Sequence, residues 1–222
     1  MNKLLSLLAA SLLACATLVS AHAQEVQGDA KMGAKKNAMC IGCHGIVGYQ
    51  ASFPEVHKVP KISGQSAKYI ASALNAYKKG DRKHPTMRGI AASLTDQDIA
   101  DLSAFYAASG TVEGAAPLAA APAASGHAAE LVAKGNCVSC HGNSFSAPID
   151  PSYPRIAGQY DDYVYVALKA YKADGSSAQV GRNNAIMGGV AKQFSNAELK
   201  EIAAYVGSLP TELKTVPESR FR

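Results

Sequence analysis

Apolar positions recur along the chain at helical spacing, in matched sets. Ile70, Ala73, Leu74 and Tyr77 follow the i, i+3, i+4, i+7 pattern, and Val164, Ala167, Leu168 and Tyr171 repeat it, which predicts an amphipathic helix in each half. A second pair opens with capping boxes, Thr95-x-x-Asp98 and Ser195-x-x-Glu198. It continues with Ile99, Leu102 and Phe105 in one copy and Leu199, Ile202 and Tyr205 in the other, again a helical stripe. A third pair is predicted over residues 29 to about 39 and about 127–136. No stretch sustains apolar–polar alternation, so the expected fold class is all-α with negligible strand.

The pairing is an internal repeat. Pro60-Lys61-Ile62-Ser63-Gly64-Gln65 answers Pro154-Arg155-Ile156-Ala157-Gly158-Gln159 at an offset of 94, and Tyr69 and Tyr77 answer Tyr163 and Tyr171. Met87 answers Met187, and Thr95 answers Ser195, at an offset of 100. The difference places an insertion around residues 174–183, where added loop length costs little. Two domains follow, residues 24–110 and 127–222, joined by an Ala/Pro-rich linker over 111–126 that should run extended.

The first residues read differently. Met1-Asn2-Lys3, an apolar run to Ser20 and the small-x-small site Ala21-His22-Ala23 predict a signal peptide over 1–23, with export to the periplasm. Lipidation at Cys15 is the alternative, and it would waste the apolar residues that follow. No other run reaches the roughly 20 apolar residues a membrane-spanning helix needs, so any membrane association is expected to be peripheral.

Composition adds the chemistry. Four of the five cysteines form Cys40-Ile41-Gly42-Cys43-His44 and Cys137-Val138-Ser139-Cys140-His141, 97 positions apart. Two thiols at this spacing can add to the two vinyl groups of one haem, leaving the adjacent imidazole beneath the iron. A redox-active Cys-x-x-Cys does not need the histidine, and zinc ribbons bring their two pairs within about 15–20 residues of each other. Two covalently bound haem c groups are therefore expected, attached at Cys40, Cys43, Cys137 and Cys140, with His44 and His141 as proximal iron ligands. Met87 lies 43 residues after His44 and Met187 lies 46 after His141, matched placements that assign them as the distal ligands. His84 is the rival in the first half. His57 is a weaker one, expected in a loop.

With these residues the chain resembles the di-haem cytochrome c4 family, two class I cytochrome c folds in tandem, over nearly all of residues 24–210. The resemblance implies that the carbonyls of Pro60 and Pro154 orient His44 and His141 through their Nδ1–H groups. It also implies a one-electron carrier in a respiratory chain, passing electrons from a cytochrome bc complex to a terminal oxidase. The alternative is a di-haem electron-accepting subunit of an oxidoreductase such as a flavin sulfide dehydrogenase. His/Met ligation closes both axial positions, which disfavours a di-haem peroxidase and any other enzyme, and no nucleophile or paired-carboxylate motif points to separate catalysis.

Charge divides unevenly. Residues 24–112 hold 11 Lys+Arg against 7 Asp+Glu, whereas residues 113–222 hold 10 of each. The excess is too small to point to nucleic acid. Lys78, Lys79, Arg82 and Lys83 form a cluster expected to steer the first haem edge toward an acidic partner.

Overall fold

The computed structural model describes residues 26–111, 122–173 and 177–217. The predicted signal peptide, Cys15 and most of the linker lie outside these residues. Each half begins with a helix and a second one carrying the Cys-x-x-Cys-His motif: α1 (Ala30–Lys36) and α2 (Ala38–His44), answered by α6 (Gly126–Lys134) and α7 (Val138–His141). A long helix follows, α3 (Ala67–Lys79) or α8 (Asp161–Lys172), then a two-residue strand, β3 (Arg82–Lys83) or β4 (Gly181–Arg182). Each half then closes with a short helix and a terminal one: α4 (Pro85–Ala92) and α5 (Asp96–Ala108), or α9 (Ala185–Ala191) and α10 (Asn196–Ser208). The first half adds a hairpin of β1 (Gln50–Ala51) and β2 (His57–Lys58).

Local chemistry explains most boundaries. Asp29 caps α1 by accepting the N–H groups of Lys31 and Met32, and Gly80, at φ +86, ends α3 in the left-handed conformation that glycine adopts freely. Both predicted capping boxes form, at Thr95/Asp98 and Ser195/Glu198. The helix expected over about 29–39 is instead broken at the fully buried Asn37. In the second half the chain breaks at Asn136, whose φ is +47, a region asparagine tolerates better than most residues. These breaks turn each motif away from its entry helix. Helices α4 and α9, which carry Met87 and Met187, are additional to the three predicted pairs.

Two cores form. Ile70, Leu94, Ile99, Leu102 and Tyr106 pack together in the first half. Leu131, Val132, Phe145, Ala157, Phe194, Leu199, Ile202, Val206 and Leu209 pack in the second. The halves meet across an approximate two-fold relation. Gln159 receives the Lys61 N–H on Oε1 at 2.9 Å and donates from Nε2 to the Lys61 carbonyl at 2.9 Å. Gln65 does the same to Arg155, at 2.9 Å and 2.9 Å. Lys61 Nζ donates to the Gly158 carbonyl and Arg155 Nη1 to that of Gly64, completing the reciprocity. Strands β3 and β4 pair antiparallel across the junction, Arg82 opposite Arg182. Among the described residues strand content is small, as expected, but the β3–β4 ladder joins the domains.

Candidate haem sites

Each motif forms one turn of helix, placing its two thiols and its imidazole on the wall of a shared, mainly apolar cavity. His44 Nδ1 lies 2.9 Å from the Pro60 carbonyl, and His141 Nδ1 lies 3.2 Å from that of Pro154. Donation from Nδ1 fixes the tautomer and turns Nε2 toward the cavity. Burial pushes both imidazoles below their ordinary pKa, keeping them in the neutral form that ligates iron. Burial also pushes the Cys40 thiol up to about 11 and raises Cys137. A redox-active Cys-x-x-Cys needs the opposite, a depressed thiol pKa.

The two methionines enter the same cavity from α4 and α9. Each sits in the first turn of its helix, anchored by its own N–H: Met187 N–H donates to Asn184 Oδ1 at 2.9 Å, and Met87 N–H to His84 Nδ1 at 3.4 Å. His84, the sequence rival to Met87, is thus the N-cap of the helix that carries it. Burial, then the neighbouring His57 and Arg82, lower its pKa, which preserves the lone pair the cap requires. His57 is no loop histidine. It lies in β2, 5% exposed, against Tyr163 and His84.

The proposed steering cluster does not survive as a unit. Arg82 is 8% exposed and buried at the domain junction, donating to the Tyr69 and Tyr163 hydroxyls at 3.3 and 2.6 Å and lying over the Tyr77 ring. Lys83 Nζ donates to the Ser177 carbonyl, and Lys78 Nζ to that of Leu94. The run of charge in the sequence reads as one surface, but the fold directs three of its four members inward or onto the backbone.

Arg182, unmarked in the sequence, donates to the same Tyr163 hydroxyl at 3.2 Å. Burial would raise the Tyr163 pKa, but the two guanidiniums and their hydrogen bonds bring it down to about 8. Among the described residues neither arginine has a carboxylate partner, and Arg82 Nε is buried without an acceptor. Both arginines line the cavity. Paired thiols, a carbonyl-oriented imidazole and cations without carboxylate partners suit a flat apolar group that brings its own carboxylates, as haem does. Gln65 and Gln159, which bridge the domains, were also unmarked in the sequence. Their signal was present, since both recur in the repeat five residues after a matched proline.

The family model for cytochrome c matches residues 30–107 and again 126–210. Cytochrome c4 of Pseudomonas aeruginosa is 31% identical over 212 residues, covering 94% of this chain and all of that one. The thiosulfate dehydrogenase electron acceptor of Stutzerimonas stutzeri is 30% identical over 205 residues, covering 87% of this chain and 91% of that one. The structure of Acidithiobacillus ferrooxidans cytochrome c4 superposes with a TM-score of 0.57 at 27% identity, covering 78% of this chain and 99% of that one. Among the described residues no helix is long and apolar enough to cross a membrane. Two matched domains, each with its own motif, account for two covalently bound haem c groups in an electron-transfer protein, and the chain belongs to the cytochrome c4 family.

Proposed function

We propose that this di-haem carrier works in the periplasm, taking single electrons from a cytochrome bc complex and delivering them to a terminal oxidase. The supporting observation is a match to a cytochrome c4 along that protein's whole length. When bound, each haem supplies one-electron exchange at iron. Cys40 and Cys43 hold one haem and Cys137 and Cys140 the other. His44 and His141 are the proximal ligands, oriented by the Pro60 and Pro154 carbonyls, and Met87 and Met187 are the distal ligands. Ligation of each iron by a methionine thioether and a histidine imidazole would favour the reduced state and leave no position for substrate.

The oxidised protein should show the weak methionine-to-iron charge-transfer band from both haems and no high-spin features. Met87→Ala and Met187→Ala should each remove about half of the band. A band unchanged in either variant rejects that methionine as ligand.

A second reading makes the chain the electron-accepting partner of an oxidoreductase. The relative named as a thiosulfate dehydrogenase electron acceptor favours thiosulfate oxidation over the flavin sulfide dehydrogenase considered from the sequence. Rapid-mixing reduction decides between them. Reduction by a quinol-fed bc complex, with reoxidation by the oxidase, supports the respiratory route. Fast reduction only by thiosulfate dehydrogenase with thiosulfate supports the second.

A further inference from the structure

Each interdomain glutamine grips the residue that directly follows a histidine-orienting proline of the other domain. Gln159, from the second domain, holds both the N–H and the carbonyl of Lys61, and the preceding carbonyl, that of Pro60, faces His44 Nδ1. Gln65, from the first domain, holds both backbone groups of Arg155, next to the Pro154 carbonyl that faces His141 Nδ1. We propose that Gln65 and Gln159 are crossed positioning residues, each setting the hydrogen bond to the proximal histidine, and hence the haem potential, of the opposite domain.

Both side chains are built to hold rather than to adapt. Gln65 is 4% exposed and Gln159 5%. Each amide oxygen also accepts the N–H of its own next residue, Ser66 at 3.0 Å and Tyr160 at 3.1 Å, at the start of α3 or α8. The grip on Lys61 is therefore referenced to the frame of α8, and that on Arg155 to the frame of α3. A carbonyl held close to Nδ1–H makes the imidazole more basic and favours ferric iron; releasing it has the opposite effect. The Lys61 and Arg155 N–H groups share a peptide plane with the Pro60 and Pro154 carbonyls, so a residue held at both its N–H and its C=O leaves the adjacent proline carbonyl little freedom to shift. The two domains then do more than hold two haems near each other, because each supplies part of the other's ligand support.

The proposal rests on His44 and His141 as the iron-bound imidazoles. The experiment is a redox titration of the holoprotein in which proton NMR of the haem methyl groups follows each haem separately. Gln159→Leu should raise the potential of the first-domain haem and leave the second where it was, and Gln65→Leu should do the reverse. Ser66→Ala removes a neutral interdomain bond, from Ser66 Oγ to the Pro151 carbonyl, without touching either grip, and should move neither potential. No shift, a shift of the haem in the glutamine's own domain, or equal shifts of both haems overturns the proposal. If a leucine variant fails to assemble, Gln159→Asn and Gln65→Asn keep the amide but shorten its reach, and should give the same crossed pattern with smaller shifts. The ligand assignment fails separately: His44→Ala or His141→Ala would leave the corresponding haem's low-spin spectrum unchanged, whatever the glutamine variants do.

Discussion

The two domains hold matching sites by different means. In the first, α1 crosses α5 closely enough that a Cβ on Gly33 would lie 2.1 Å from the Asp101 carbonyl oxygen. The joint is locked by a buried carboxylate: Asp101 accepts from the Asp29 N–H at 2.9 Å, from Lys36 Nζ at 2.6 Å and from Gln97 Nε2 at 2.8 Å. In the second domain the repeat places Glu130 where Gly33 stands and Glu201 where Asp101 stands, both facing outward. There Leu131, Phe145 and Phe194 supply apolar packing instead. The matched proline, glutamine, tyrosine and methionine all lie at the cavity or the domain junction. Residues that line the cavity or meet the other domain are constrained by both, whereas the outer joint can be solved by charge or by apolar volume.

Removing the buried carboxylate should break this comparison most strongly. Asp101→Ala leaves the Asp29 N–H without its acceptor, leaves the Gln97 amide only the Gln27 carbonyl, and deprives Lys36 of its shorter ion pair, retaining Asp98 at 2.7 Å. A loss on the order of 3 kcal/mol is expected, read as a lower urea midpoint for the first domain. Glu201→Ala, at the matched position, should change stability by less than about 0.5 kcal/mol. Equal losses at the two positions would remove the distinction. Gly33→Ala comes next: the added methyl meets backbone, which cannot rotate away, and forcing α1 from α5 should cost about 1–3 kcal/mol. Glu130→Ala should be close to neutral by the same measurement.

Much of this arrangement was legible in the sequence. Spacing predicted α3 and α8, capping boxes predicted the starts of α5 and α10, and the motifs with their matched methionines predicted which side chains share a cavity. The Pro60 and Pro154 carbonyls lie 2.9 and 3.2 Å from His44 Nδ1 and His141 Nδ1. Helices α4 and α9 were less visible because they are short and their caps are unlike. Even so, Pro85 at the first helical position after His84 is a start signal. Arg82 was misjudged because charge in a sequence carries no address. Its hydroxyl acceptor, Tyr163, is 81 residues away in the other domain. The equivalence of Arg82 and Arg182, at the same offset as the methionines, was the available clue.

That cluster offers a third test, of asymmetry at the junction itself. Tyr163 accepts from both arginines, whereas its counterpart Tyr69 accepts from Arg82 at the longer distance of 3.3 Å. Tyr163→Phe should therefore cost about 1–2 kcal/mol and Tyr69→Phe less than about 1 kcal/mol, measured by urea unfolding of the holoprotein. Equal costs would mean that the shared hydroxyl is not the stronger tie.

The smallest expected effect is also the most directional, because the outer joints of the two domains respond to opposite ends of the pH range. Hydrogen bonds from Lys36 and from the Asp29 backbone hold Asp101 below the usual carboxylate range. Its contribution is present above about pH 4, the ordinary carboxylate value, and is lost as pH falls through the depressed folded pKa. In the second domain Glu201 accepts from His127 Nδ1 at 2.9 Å and raises the histidine pKa. That contribution is complete below the ordinary histidine value of about 6.5 and is lost as pH rises through the elevated folded pKa. Because His127 and Glu201 are exposed, solvent screens the second effect to a slight slope, while the buried Asp101 gives the steeper acid limb. Unfolding curves followed across pH 3–9 should show the acid limb flattened in Asp101→Asn and the weak neutral-to-alkaline slope abolished in His127→Gln. An acid limb that persists in Asp101→Asn would place the first domain's acid sensitivity in some other carboxylate and remove the buried charge as the feature that separates the two joints.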